Sequence, residues 1–211
     1  MVSSTDVRLN GCHSMIRSSI HINGNMLSKN LIILDLECTG ESADTYDIIQ
    51  IGAVKLDGRF DIIDRFECLV APFGDVWEEG AYKVHNIEFD FAKKNGKDLK
   101  EALMLFESWF GNPKEHTICT WGAFFDIDFL IEAYKKVDKN YPFSRRTYDI
   151  ASIVRFVISI RQNLGKKCGE FTCAKKLGIE VDASKLHNAL YDAELSALNL
   201  NKVYNMIKEK L

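Results

Sequence analysis

Leu31-Ile32-Ile33-Leu34 is a continuous apolar run that stops at once on Asp35-Leu36-Glu37-Cys38-Thr39-Gly40. A run this short cannot make a buried helix, so it reads as a strand covered on both faces, the centre of a layered α/β domain. Two carboxylates stand at its end. Side chains alternate along a strand, so Asp35 and Glu37 point to the same face. Like charges held this close raise each other's pKa unless a cation lies between them. A divalent metal meets that need, and hard oxygen ligands away from thiolates favour Mg²⁺ or Mn²⁺ over zinc. Acidic residues also end strands where there is no chemistry, so the pair alone decides nothing.

Ile48 to Leu56 and Phe60 to Val70 are two further β-rich runs, and Asp57-Gly58 between them suits a tight hairpin. After a loop around Pro72 and Gly74, Asp98 can cap a helix from Leu99 to Phe110, in which Leu99, Leu103, Phe106 and Phe110 share one face. Gly111-Asn112-Pro113 stops it. A strand from Thr117 to Trp121 leads to a helix near Asp126 to Val137, followed by helices from Asp149 to Arg161 and from about Asn188 to Lys208. Strands first, then strands alternating with helices, imply an α/β sandwich around a mixed sheet. Met1 to about Asn30 is rich in Ser and Asn and lacks periodicity. The expected organisation is a loose leader over 1–29 and one domain over 30–211, with Met26 as an alternative start of translation.

Composition narrows the classes. Hydrophobic residues at 46% and charged residues at 27% are the balance of a folded globular chain. The longest apolar stretch, Ile150 to Ile160, is broken by Arg155 and falls short of the ~20 residues of a membrane span. The first residues lack the basic start and apolar run of a secretory signal, so a cytoplasmic protein is expected. Cysteines at 12, 38, 68, 119, 168 and 173 are scattered, which favours reduced thiols. Cys168, Cys173 and His187 form only a partial zinc set, without a fourth ligand or the usual short spacing. The net charge of −3 argues against nucleic-acid binding through global positive charge. Arg145 to Lys185 nevertheless holds nine Lys or Arg against four Asp or Glu, a stretch suited equally to a phosphate backbone or to a solvated surface.

Two later segments carry acids. Trp121-Gly122-Ala123-Phe124-Phe125-Asp126-Ile127-Asp128-Phe129-Leu130 places acids at the opening turn of a helix, where Asp126 or Asp128 alone reads as a cap or as a dipole partner. His187-Asn188-Ala189-Leu190-Tyr191-Asp192-Ala193 puts a histidine at the start of the last helix and an acid within it. Each is weak alone, but their order changes the reading.

Together these segments resemble the DEDDh 3′-to-5′ exonucleases, a family that includes the proofreading subunit of bacterial DNA polymerase III, oligoribonuclease and the histone-mRNA exonuclease group. Asp35 to Gly40 is similar to the first motif, Phe125-Asp126 with Phe129-Leu130 to the second, and His187 with Asp192 and Ala193 to the third. Ile49-Gln50-Ile51-Gly52-Ala53-Val54, Ala81 to Ile87 and Asp149 are supporting matches. The tyrosine branch would place Tyr four residues before the last Asp, where this chain has Asn188. Trp121-Gly122 looks like the RNA-trimming branch, whereas His187-Asn188-Ala189 and Tyr82-Lys83-Val84-His85 look like the DNA branch.

The resemblance implies a ribonuclease-H-like fold, with a five-stranded mixed sheet flanked by helices. It also implies removal of nucleoside 5′-monophosphates from the single-stranded 3′ end of DNA or RNA with two Mg²⁺ or Mn²⁺ ions. Asp35 would bridge the ions, Glu37 and Asp192 would complete one site, Asp126 would support the other, and His187 would act as general base. Glu37 and the Thr39 backbone would touch the terminal nucleotide, with Leu36 and Phe125 against bases and His85 near the groove. No polymerase-docking tail follows the last motif helix, so a free-standing enzyme is expected. Two other readings are an RNA-specific trimming exoribonuclease and a catalytically silent nucleic-acid-binding module. The presence of all five site residues argues against the silent module.

Overall fold

A computed structural model describes residues 29–122, 124–161 and 168–209. Residues 1–28 of the expected leader, Cys12 among them, and Ala123 lie outside the described residues, as do Lys166 and Lys167 of the basic stretch. Strand β1 (Asn30–Cys38) pairs antiparallel with β2 (Ile48–Leu56), which pairs antiparallel with β3 (Ile62–Leu69). On its other side β1 runs parallel to β4 (His116–Thr120), which in turn pairs parallel with the two-residue β5 (Tyr148–Asp149). The sheet order is β3-β2-β1-β4-β5. This is the five-stranded mixed sheet of the ribonuclease-H-like arrangement, with the acidic strand at its centre.

Strand alternation divides the core into two layers. Ile32, Leu34 and Leu36 pack with Leu103, Phe106 and Phe110 of α3 (Leu99–Phe110) and with Phe129, Leu130 and Tyr134 of α4 (Phe125–Lys136). α1 (Glu79–His85) and α2 (Phe89–Asn95) precede these two helices. Leu31 and Ile33 face the opposite layer, built from α5 (Ile150–Arg161), α6 (Glu170–Lys176) and α7 (Ala189–Lys208). Asp35 and Glu37 continue the odd-numbered series, so period-two geometry turns them toward the side covered by α7. Asp98 caps α3 as expected, accepting from the Lys100 N–H at 2.9 Å. Among the described residues no helix is long and apolar enough to cross a membrane.

Three departures from the sequence reading have physical causes. The β2–β3 connection is wider than a two-residue turn: the Asp57 side chain accepts from the Arg59 and Asp61 N–H groups, and the left-handed residue is Phe60 at φ 67°. β3 therefore starts at Ile62 rather than Phe60. α1 and α2 occupy the segment expected to be a loop. Each has seven residues, with no buried side chain in α1 and only Ala92 in α2, so neither shows apolar periodicity. α6 is equally short and buries only Cys173 and Ala174.

Candidate active site

β1 ends in a bulge: its register with β2 shifts between Glu37 and Cys38. Such irregularities re-aim side chains at strand ends. Just before the bulge, Asp35 lies opposite Gly52 and Glu37 opposite Gln50. Both partners on β2 serve the start of α7. A Cβ on Gly52 would come within 2.0 Å of the Ala189 carbonyl carbon, so only glycine lets the helix approach the sheet this closely. The Gln50 side chain accepts from the Ala189 N–H at 3.0 Å and donates to Glu67 at 3.0 Å. Asn188 caps the helix, its side-chain oxygen accepting from the Tyr191 N–H, while its amide donates to the same Glu67 oxygen. Asp192 is thereby brought over the end of β1.

His187 precedes that cap in a left-handed conformation, φ 65°, and its backbone N–H donates to Asp192 Oδ2 at 2.8 Å. The ring is exposed. One ligand atom each from Glu37, His187 and Asp192 lie within 4.8 Å of one another. Asp126 arrives from the opposite layer, in the first turn of α4, and its Oδ1 accepts from the Leu36 N–H at 3.0 Å. This bond ties the second acidic segment to the middle of the first. Asp35 lies two residues before Glu37 on β1, and it and Asp126 are not among the three residues whose ligand atoms meet within 4.8 Å.

The carboxylates crowd, and among the described residues no Lys or Arg forms an ion pair with them. Burial, then the charges of Asp126, Glu37, Asp192 and Glu170, push Asp35 well above the ordinary carboxylate range. Burial, followed by Asp192 and Asp126, takes Glu37 from 4.5 up to about 9. Burial lifts Asp126 from 3.8 to about 7, against the lowering pull of the Leu36 and Asp126 N–H groups. Asp192 is also raised by burial, offset in part by the His187 N–H and charge. Its Oδ1 is buried with no hydrogen-bond partner.

Of the residues expected to touch substrate, Leu36, Phe125 and His85 line one open cavity of about 450 Å³ beside Glu37. Leu36 is 5% exposed and Phe125 43%. Burial lowers the His85 pKa; the Cys38 backbone opposes this and His187 adds to it. Thr39 does not line this cavity itself, although its neighbours Cys38 and Gly40 do. It is buried, its hydroxyl accepts from the Asp47 N–H, its own N–H donates to the Asp47 carbonyl, and its carbonyl accepts from the Glu78 N–H. Its backbone groups are thus spent inside the protein. The Cys168 and Cys173 sulfurs lie 3.0 Å apart, but neither belongs to a metal-capable group among the described residues.

Glu170, which sequence reasoning did not single out, is a further acid whose charge acts on Asp35. Burial raises its carboxyl to about 8; the Ser196 hydroxyl lowers it, while Asp192 and Asp126 add to the rise. In the sequence it is one acid at the start of a short helix, where the helix dipole alone accounts for it.

The RNase_T family model, described as Exonuclease, matches residues 32–200. The DNA polymerase III PolC-type of Oceanobacillus iheyensis is 28% identical over 186 residues, which is 88% of this chain but 12% of that protein. The PolC-type polymerase of Bacillus subtilis is 28% identical over 181 residues, covering 85% of this chain and 12% of its own length. This chain therefore spans only about an eighth of these relatives. E. coli exonuclease I in complex with a dT13 oligonucleotide superposes with a TM-score of 0.75 at 16% identity, over 86% of this chain and 42% of that one. Exonuclease I from Methylocaldum szegediense gives 0.71 at 18% identity, over 84% and 40%. At these identities the structural likeness shows the fold.

Proposed function

Because the chain belongs to the RNase_T exonuclease family, we propose that it hydrolyses the terminal phosphodiester bond at the single-stranded 3′ end of DNA or RNA, releasing nucleoside 5′-monophosphates. The observation that carries this reading is the meeting of Glu37, His187 and Asp192 within 4.8 Å, with Asp126 bonded to the same strand end. A silent binding module would have no use for so costly a cluster of buried acids.

The residues fit divalent cations. An unpartnered Asp192 oxygen and several buried carboxylates with raised pKa values are an anionic set lacking its counter-charge. Oxygen-rich donors suit two Mg²⁺ or Mn²⁺ ions, held by Asp35, Glu37, Asp126 and Asp192. When bound, such ions neutralise charge at the scissile phosphate and acidify the attacking water. His187 is exposed and, among the described residues, is hydrogen-bonded through its backbone, which leaves its imidazole to take the proton of that water. The His187–Asp192 backbone bond fixes where this base stands relative to the acids.

The cavity beside Glu37 suits the terminal nucleotide. Leu36, which is buried, and His85 line it, and the half-exposed Phe125 offers a face for base stacking. The oligonucleotide bound to the similar E. coli exonuclease I supports a single-stranded substrate. Incubation of 5′-labelled single-stranded DNA and RNA with Mn²⁺ tests the proposal and ranks the two sugars. A ladder of products shortened from the 3′ end, abolished by chelator and by Asp192→Asn, is expected. Binding without shortening of either strand would leave the silent module as the correct reading.

A further inference from the structure

We propose that Glu170 is a fifth carboxylate of the site, a positioning residue whose negative charge strengthens divalent-cation binding by the four acids already named. The inference rests on reading that cluster as a metal centre.

Glu170 opens α6, but its side chain is not spent as a helix cap, since the N-cap is Gly169 and makes no side-chain bond. The carboxylate instead reaches α7, where the Ser196 hydroxyl donates to its Oε1 at 2.6 Å. Ser196 is 2% exposed and lies one helical turn beyond Asp192, so the two side chains share a face of α7. Glu170 is thereby fixed next to the helix turn that presents Asp192 to the site. Its charge acts on Asp35, and those of Asp192 and Asp126 act on it.

Among the described residues, no Lys, Arg or His forms an ion pair with Glu170. Burying an acid without a counter-charge opposes folding. A glutamine at this position would keep the Ser196 bond and the packing without that cost. The charge is therefore worth its penalty only if a cation is bound nearby, where it adds to the attraction of Asp35, Glu37, Asp126 and Asp192.

Isothermal titration of Mn²⁺ into the metal-free full chain, paired with urea unfolding in chelator, tests this on wild type, Glu170→Gln and Asp192→Asn. Glu170→Gln is expected to weaken Mn²⁺ binding by about tenfold, the scale for losing one unit charge from a partly screened site. The same variant should unfold at higher urea than wild type in chelator, because a repulsive charge has gone. A residue with a purely structural role would give the opposite pair of results, unchanged affinity and lower stability. Affinity within about twofold of wild type, roughly 0.4 kcal/mol, or a variant that fails to fold, overturns the role of Glu170. Asp192→Asn separates the two claims: if it binds Mn²⁺ as wild type does, the metal centre itself is wrong. If it loses binding while Glu170→Gln does not, only the present inference fails.

Discussion

Replacing Glu37 by glutamine removes a charge at nearly constant volume, and in the metal-free protein it should stabilise the fold near neutral pH while doing nothing in acid. The Glu37 carboxyl, ordinarily at 4.5, sits at about 9 in the folded protein, chiefly through burial and then through Asp192 and Asp126. The folded chain therefore holds a proton that the unfolded chain has already released. Where the native state binds more protons, stability falls as pH rises. The loss begins near the ordinary value and continues until the folded carboxyl ionises, so the window runs from 4.5 to about 9. At pH 7 the penalty is about 2.5 pH units at ~1.4 kcal/mol each, or roughly 3 kcal/mol. Neighbouring acids share the repulsion, which makes this figure an upper bound. Urea unfolding followed by tryptophan fluorescence, in chelator at pH 4.5 and 7, measures it. Glu37→Gln should gain up to ~3 kcal/mol at pH 7 and nothing at pH 4.5. Saturating Mn²⁺ should reverse the order, because a ligand that binds only the native state stabilises the wild type more. No gain at pH 7, or the same gain at both values, would refute the reasoning.

Gly52→Ala should destabilise the domain by at least about 1–3 kcal/mol and abolish nuclease activity, since its Cβ would meet the Ala189 carbonyl carbon at 2.0 Å and drive α7 from the sheet; near-wild-type urea midpoints would contradict this. His187→Asn retains a residue that tolerates the left-handed backbone and should lower turnover by about 10²–10⁴-fold without changing the melting temperature. Asn188→Ala removes the cap of α7 and a bond to Glu67, and a loss of about 1 kcal/mol in unfolding free energy is expected. Phe125→Ala, at a half-exposed ring on the cavity, should weaken binding of single-stranded oligonucleotide by about 1–3 kcal/mol, read by fluorescence anisotropy in chelator.

The strand Ile48–Leu56 and the helix Leu99–Phe110 carry the bounds read from the sequence, because the strand buries a near-continuous apolar run between both layers and the helix buries one regular apolar face. Short elements were not legible in the same way. α1 buries no side chain and α6 only two, so their helical state is decided by what they pack against rather than by any pattern of their own. The turn at Asp57 shows the same limit: a side chain bonding two backbone N–H groups outweighed the local preference of Asp-Gly for a tight hairpin.

The sequence by itself determined the central acidic strand, the order of the three acidic segments and the family they resemble, because these depend on residue type and spacing along one chain. Tertiary structure alone decided that Asp126 bonds the Leu36 N–H across 90 residues, that a glycine opposite Asp35 admits α7, and that Glu170 accepts from Ser196 on α7. It also turned the Thr39 backbone inward to Asp47 and Glu78. The physical reason is range: alternation and capping act over a few residues, whereas a shared field among buried carboxylates exists only once distant segments have been packed together out of water.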